Sequence, residues 1–129
     1  MAIVRRMAAD LDLPVQIRGC PLVREPDGLA LSSRNAYLGA EERQQALAIS
    51  AALADARLAL AAGERDAAKV AGAVRRRLEA GAGVEIQYVA VVDPDTLADL
   101  ARIADKVLVA VAAKVGATRL IDNVLLRGL

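Results

Sequence analysis

Histidine, tryptophan and phenylalanine are all missing from this 129-residue chain, and cysteine occurs once. Without histidine, a zinc or iron site would need oxygen ligands throughout, and a single cysteine cannot form an internal disulfide. We expect Cys20, after a predicted strand, to behave as a small buried apolar residue in a reducing, cytoplasmic setting. Aromatic residues make up only 2% of the sequence, so ring stacking could hold few large ligands.

An excess of one charge and long apolar runs are missing as well. Lys and Arg number 17 against 16 Asp and Glu, with the signs interspersed, so nucleic acid is not an expected partner. No apolar stretch approaches the roughly 20 residues that span a bilayer, and Arg5 and Asp10 interrupt any secretory leader. We therefore expect a soluble protein without a membrane partner.

Aliphatic residues and alanine are abundant instead, and 56% of the chain is apolar, which is enough for one domain core. Alanine favours helix, and the sequence predicts one from about Ala40 to Ala62. Its predicted buried stripe consists of Leu47, Ala51, Ala54 and Leu58. Gly63 ends this helix, and Asp66 caps a second helix, with its own buried stripe, that ends at Gly81. The stripe of the second helix consists of Val70, Val74 and Leu78.

The last third of the chain has the periodicity of strands. Val84–Tyr88 alternates between apolar and polar residues, and Lys106–Ala113 and Thr118–Leu126 are two further apolar runs. Val115-Gly116 is the predicted turn between the last two. Together these patterns predict an α+β fold, a small three-stranded antiparallel sheet with covering helices.

Between the first two strands, Asp93-Pro94-Asp95-Thr96 predicts the start of a short helical segment. Its inward-facing residues would be Leu97, Leu100 and Ile103.

The first twenty residues follow a different pattern. Apolar residues recur at helical spacing from Ile3 to Leu11, Pro14 ends that helix, and Val15–Arg18 alternates as a strand does. Parallel strands are normally flanked by others, so a single helix and strand indicate a remnant of an α/β domain from a longer protein. Such a remnant exposes apolar surface, and we therefore expect self-association.

The segment Val23–Asn35 combines a turn with several polar side chains. Pro and Gly in Glu25-Pro26-Asp27-Gly28 favour a tight turn. Ser32, Ser33 and Arg34 follow, and hydroxyls with a guanidinium can hold phosphate oxygens and stabilise a leaving pyrophosphate. The same residues are good helix caps, so composition alone leaves both interpretations open.

Other charged residues fit structural roles. Arg75–Arg77 is typical of a solvated helix face, and Asp93 and Asp95 are typical of a turn. Asp122 and Asn123 interrupt an apolar strand, where such residues indicate a bulge, a polar edge or a satisfied hydrogen-bond network. We assign none of them a catalytic role.

Residues 23–35, Val-Arg-Glu-Pro-Asp-Gly-Leu-Ala-Leu-Ser-Ser-Arg-Asn, resemble the signature of the pantothenate synthetase family. The Ser-Ser-Arg loop of that family is similar to the Lys-Met-Ser-Lys-Ser loop of class I aminoacyl-tRNA synthetases. The resemblance extends through Leu13-Pro14-Val15, Gly19-Cys20-Pro21 and Tyr37-Leu38, and Thr118–Asn123 looks like the family's final strand. It covers essentially the whole chain.

The resemblance implies an ATP-dependent ligase that joins pantoate to β-alanine. ATP and pantoate would give pantoyl adenylate and pyrophosphate, and the β-alanine amine would then release AMP. ATP, arriving with Mg²⁺, would contact Val23 and Leu31, largely through the backbone. Its phosphates would lie on Ser32, Ser33 and Arg34, the expected catalytic residues.

The resemblance also divides the chain into two parts. Residues 1–21 would be a remnant of a Rossmann-like N-terminal nucleotide-binding domain, and residues 22–129 would form a C-terminal lid domain. The family's His-x-Gly-His motif, its phosphate-binding lysine and its pantoate and β-alanine pockets have no counterpart here. The isolated chain is therefore expected to be inactive, and to meet pantoate and β-alanine only together with the missing domain.

Two alternatives remain open. One is a different adenylate-forming or nucleotidyl-transfer enzyme that shares the serine loop. The other is a stand-alone α+β binding or oligomerisation module in which Ser-Ser-Arg-Asn only caps a helix.

Overall fold

The computed structural model describes all of residues 1–129. In chain order the elements are α1 (Ala2–Asp10), a 3₁₀ helix (Ser33–Tyr37), α2 (Ala40–Ala61), α3 (Ala67–Glu79), β1 (Val84–Val92), β2 (Lys106–Val115) and β3 (Thr118–Arg127). The predicted α+β class is confirmed. None of the helices combines the length and the apolarity needed to cross a bilayer.

The sheet has the order β1-β2-β3, and both strand pairs are antiparallel. Val115 pairs with Thr118 across a tight turn at Gly116 and Ala117, one residue later than the predicted turn. Gly116 has φ +55°, a conformation that glycine adopts without a Cβ clash. The register of β1 shifts between Ile86 and Tyr88, which is the mark of a bulge. Strand β3 is left as a free edge of the sheet.

The core lies between one face of the sheet and the two long helices. Alternate residues of β2 point into it and are fully shielded from solvent, namely Val107, Val109, Val111, Ala113 and Val115. Helix α3 begins at its predicted cap, where Asp66 Oδ1 accepts from the Lys69 N–H at 3.0 Å, and it buries the predicted stripe of Val70, Val74 and Leu78. The sequence-based description of α3 is confirmed.

Helix α2 has the predicted length but buries a different face. Its buried residues are Ala46, Ile49, Ala52, Leu53, Ala56 and Leu60. The predicted stripe was wrong: Leu58 is 61% exposed, Ala54 is exposed, and Leu47 and Ala51 are half-buried. Apolar residues occur all round this helix, so contact with the sheet and α3 selects the buried face.

The N-terminal helix forms as predicted, but the strand expected at Val15–Arg18 does not. No neighbouring strand is present to accept its backbone hydrogen bonds, and the segment is irregular, with Val15 57% exposed. Cys20 is also exposed and not buried as expected. The apolar residues of α1 remain largely uncovered, and Ile3 is 70% exposed.

The helix expected after Asp93 is a turn. The Asp93 carboxylate accepts hydrogen bonds from the N–H groups of Asp95 and Thr96 at 2.8 and 2.9 Å, and these bonds stabilise the turn. Leu97 has φ +62°, incompatible with helix, and points outward with 40% exposure. Ile103 is buried and Leu100 is half-buried, so these two predicted inward positions are correct.

Candidate functional site

Residues Val23–Leu31 form a short hairpin around the predicted turn. The Leu31 N–H donates to the Val23 carbonyl at 2.9 Å, and the Glu25 N–H donates to the Leu29 carbonyl at 2.8 Å. At the tip, Gly28 has φ +94°, and the Leu29 N–H donates to Asp27 Oδ1 at 3.2 Å. The roles expected for Asp27 and Gly28 in a tight turn are confirmed.

The serine loop follows the hairpin and begins the 3₁₀ helix. Ser32 is extended, and its Oγ accepts from the Arg34 N–H at 3.2 Å, so this hydroxyl caps the helix. Ser33 and Arg34 are exposed, and the Arg34 guanidinium takes part in no ion pair. The loop therefore has a fixed backbone and carries a permanent positive charge that no protein carboxylate neutralises.

A polar network joins the 3₁₀ helix, the hairpin and α2. Asn35 is 7% exposed, and its Nδ2 donates to Glu25 Oε1 at 2.6 Å and to the Ala30 carbonyl at 2.9 Å. Arg43 on α2 donates to Glu25 and, through Nε, to Asp27 Oδ2 at 2.8 Å. The hairpin is held to α2 through both of its carboxylates.

These contacts favour the ionised carboxylates. The hydrogen bond from the Asn35 amide, followed by that from Arg43, lowers the pKa of Glu25. The Leu29 N–H, and then Arg43, lowers the pKa of Asp27. Both carboxylates are therefore charged at neutral pH, and the network is intact there.

A second connection runs from the hairpin to the edge strand β3. Arg24 and Asp122 form a bidentate pair, with Nη1 to Oδ2 at 2.7 Å and Nη2 to Oδ1 at 3.0 Å. The Asp122 side chain is only 4% exposed, and its Oδ1 also accepts from the Asn123 N–H at 2.7 Å. The expectation that Asp122 belongs to a satisfied network is confirmed.

These elements enclose a pocket of about 260 Å³ between the hairpin, the 3₁₀ helix and β3. Its polar lining consists of Ser32, Arg34, Asn35, Arg119, Asp122 and Asn123. The only carboxylate among them is the one that Arg24 neutralises, so the free charges at the pocket are two guanidinium groups. Such a pocket suits an anionic ligand with a small apolar part.

The predicted site residues are only partly brought together. Leu31, Ser32 and Arg34 line the pocket, whereas Ser33 lies on the exposed surface beside it. Val23 is 63% exposed and reaches Leu31 through its carbonyl group. No group of three or more Asp, Glu or Cys side chains is arranged to hold a metal ion.

Three polar residues of the pocket, all on β3, were not predicted as part of a site, namely Arg119, Asp122 and Asn123. Arg119 lies at the pocket and is oriented by a hydrogen bond from its Nε to Gln87 Oε1 at 2.6 Å. Asn123 comes from the same strand and was given only a structural role. The available signal was the polar pattern at 118–123 within an apolar strand, but a single strand does not reveal what lies beside its edge.

Comparison with known proteins gives a consistent result. The family model described as pantoate-beta-alanine ligase matches residues 1–125. The chain is 55% identical over 123 residues to the pantothenate synthetase of Anaeromyxobacter dehalogenans, which covers 95% of this chain and 42% of that protein. It is 53% identical over 129 residues to the pantothenate synthetase of Nitratidesulfovibrio vulgaris, covering 99% of this chain and 46% of that protein.

Solved structures agree. The crystal structure of pantothenate synthetase from Thermus thermophilus matches with a TM-score of 0.88 and 40% identity, over 95% of this chain and 44% of that one. This chain thus spans less than half the length of the relatives that it matches. Its similarity to them is nevertheless continuous over almost all of its own residues, and the chain belongs to the pantoate–β-alanine ligase family.

Proposed function

We propose that this chain is the C-terminal lid domain of an ATP-dependent ligase that condenses pantoate and β-alanine to pantothenate. Residues 22–129 form the lid, and residues 1–21 belong to the nucleotide-binding domain that precedes it. The observation that carries the proposal is the serine loop at the pocket. Its backbone is fixed by the Ser32 cap and by Asn35, while the Arg34 guanidinium is left without a protein partner.

The reaction gives this arrangement a clear task. A pantoate carboxylate oxygen attacks the α-phosphorus of ATP, the bond to the bridging oxygen of the β-phosphate breaks, and pyrophosphate leaves with the electron pair. The β-alanine amine then attacks the acyl carbon, and AMP leaves. Negative charge grows on pyrophosphate in the first step, so a cation and hydroxyl donors placed on it lower the barrier. Arg34, Ser32 and Ser33 are the groups that we assign to this role, with Mg²⁺ arriving as part of the ATP complex.

The backbone beside the loop supplies complementary groups for the base. The Val23 carbonyl and the Leu31 N–H satisfy each other, whereas the Val23 N–H and the Leu31 carbonyl have no protein partner. One free donor and one free acceptor can pair with an adenine edge, which offers a ring nitrogen acceptor and an amino donor. This supports ATP contacts through the backbone of both residues.

The exposed apolar surface near the N-terminus supports the proposal that another domain packs against this part of the chain. Along α1 and the segment after it, the largely uncovered apolar side chains are Ile3, Val4, Met7, Leu11, Leu13 and Val15. Contiguous apolar surface of this kind is normally covered by another domain or subunit. In our proposal the rest of the ligase covers it, and the isolated chain self-associates through it and is inactive.

The test is pantoate-dependent exchange of pyrophosphate into ATP, with Mg²⁺, using the chain alone and then mixed with a separately prepared N-terminal part of a family member. We expect exchange only in the mixture. Absence of exchange in the mixture, with the two parts shown to associate, would favour a binding module without catalysis.

The matched variants are Arg34→Ala and Arg57→Ala. Both residues are exposed and neither forms an ion pair, but Arg57 lies on α2 outside the pocket. We expect Arg34→Ala to lower exchange by about 100-fold, the size found when one donor to transition-state charge is removed, with no change in unfolding temperature. Arg57→Ala should have no effect on either. Unchanged exchange in Arg34→Ala would leave the Ser32 helix cap as the only role of the loop, because the substitution keeps the backbone N–H that Ser32 caps, and would contradict the proposal.

A further inference from the structure

The Arg24–Asp122 pair links the predicted nucleotide loop to a strand 98 residues away along the chain. We propose that Asp122 is a positioning residue, which holds the hairpin and the serine loop in the conformation that binds ATP. The inference rests on the proposed function of this loop. Asp122 itself is not assigned any contact with the reacting atoms.

Both oxygens of the Asp122 carboxylate are held by hydrogen bonds within the protein. Asp122 is buried, and its two oxygens accept from Arg24 Nη1, Arg24 Nη2 and the Asn123 N–H. A bidentate pair between a guanidinium and a buried carboxylate fixes both distance and orientation. Arg24 therefore has one defined position with respect to β3.

Arg24 in turn holds the tip of the hairpin. Its Nη1 also donates to the Gly28 carbonyl at 3.0 Å, so one guanidinium connects β3 to the turn of the hairpin. Arg24 also forms a backbone bridge with Ala30 across the hairpin. This bridge is next to Val23 and Leu31, the two residues proposed to bind the base. A displacement of Arg24 is thus transmitted to both of them.

The negative charge of Asp122 does not by itself favour an anionic ligand. Asp122 lines a pocket that we assign to a polyanion, where an unpaired carboxylate would repel the ligand. If Asp122 acted on ATP only through its charge, removing that charge would strengthen binding. A positioning role predicts the opposite sign, because the loss of the pair releases the hairpin.

The experiment measures the affinity of the 129-residue chain for MgATP by NMR titration, and the hydrogen exchange of the Glu25 and Leu31 amides, in Asp122→Asn. The change is isosteric and removes one charge. We expect about tenfold weaker ATP binding and about tenfold faster exchange of both amides, the effect of losing one hydrogen bond to a charged group.

The matched control is Asp95→Asn, which removes the same charge from an exposed ion pair with Arg127 outside the pocket. It should change neither quantity. If Asp122→Asn does not fold, Arg24→Lys replaces it, because lysine keeps the charge but not the bidentate geometry. This variant should also bind MgATP more weakly than the wild type.

The outcomes separate the two proposals. Unchanged or tighter ATP binding in Asp122→Asn, with wild-type binding intact, overturns the positioning role and leaves the proposed function standing. A wild-type chain that binds no MgATP, even when mixed with the N-terminal part, overturns the proposed function and this inference with it. Equally weaker binding in Asp95→Asn would show that the loss is not specific to the contact between Asp122 and the hairpin, and would also overturn the positioning role.

Discussion

Two leucines near the end of α2 allow the same substitution to be made on opposite sides of one helix. Leu60 is fully shielded from solvent, whereas Leu58, two residues earlier, is 61% exposed. Leu60→Ala removes three buried carbon atoms, a loss of about 2.4 kcal/mol at ~0.8 kcal/mol for each buried CH₂. The cavity left behind adds to this, for a total of about 3–5 kcal/mol. Leu58→Ala should change the free energy of unfolding by less than about 0.5 kcal/mol.

The assay is urea unfolding of both variants followed by far-UV circular dichroism, with thermal unfolding as a second measurement. For a chain of this size the Leu60 variant should unfold at a temperature lower by roughly 10–20 °C. Helix propensity does not separate the two variants, because both exchange leucine for alanine within one helix. Equal losses at the two positions, or a larger loss at Leu58, would refute the helix orientation described above.

Two further predictions concern the surface and the turns. Hydrogen bonds from Arg127, and then Lys106, lower the pKa of Asp95 from 3.8 to about 2. The ionised Asp95 therefore stabilises the folded state above the unfolded pKa, and this stabilisation is lost as the pH falls through the folded pKa. Urea unfolding between about pH 5 and pH 2 should therefore show a steeper acid loss for the wild type than for Asp95→Asn, and equal slopes would contradict the assignment. Gly63 has φ +99° with no atom within 4 Å of an added Cβ, so Gly63→Ala should destabilise by about 1–2 kcal/mol through backbone strain alone. Gly72→Ala, within α3, should stabilise by up to about 1 kcal/mol in the same denaturant assay, and a shared sign would show that φ is not the cause.

The features that sequence predicted well are those whose cause is local. The Asp66 carboxylate and the left-handed backbone of Gly63 fix helix ends locally, and the Asp27-Gly28 turn closes within a few residues. The bounds of β2 and β3 were predicted to within two residues, whereas β1 continues four residues beyond Tyr88, to Val92. Alternation matches a sheet that buries one face, and β2 follows that pattern over most of its length.

The features that sequence missed depend on distant parts of the chain. Val15–Arg18 has strand periodicity but no strand beside it, so alternation alone does not produce a β-strand. Helix α2 contains two apolar stripes, and only its contacts with the sheet and α3 decide which one is buried. The Asp93 carboxylate accepts hydrogen bonds from the N–H groups of Asp95 and Thr96 in a turn. Such local bonding is an alternative to capping a helix, and the sequence alone does not distinguish the two.

The candidate site divides in the same way. Leu31, Ser32 and Arg34 could be predicted because they belong to one contiguous segment. A carboxylate in an apolar strand also indicates that a buried partner must exist, since an unpaired one is costly. The sequence offered 17 Lys and Arg residues for that role and no means of choosing Arg24 among them.

The serine motif is therefore not sufficient for the site that it marks. A chain with residues 23–35 intact but without β3 would keep every residue of the motif and lose one wall of the pocket, together with the partner of Arg24. The Arg43 network would still tie the hairpin to α2, but it contacts only Glu25 and Asp27 near the turn. The two connections act at different points of the hairpin, and its proposed base-binding residues, Val23 and Leu31, lie closer to the one that β3 provides. In our proposal a strand near the end of the chain helps to set the loop geometry, and nucleotide affinity should follow the integrity of β3 as well as the motif itself.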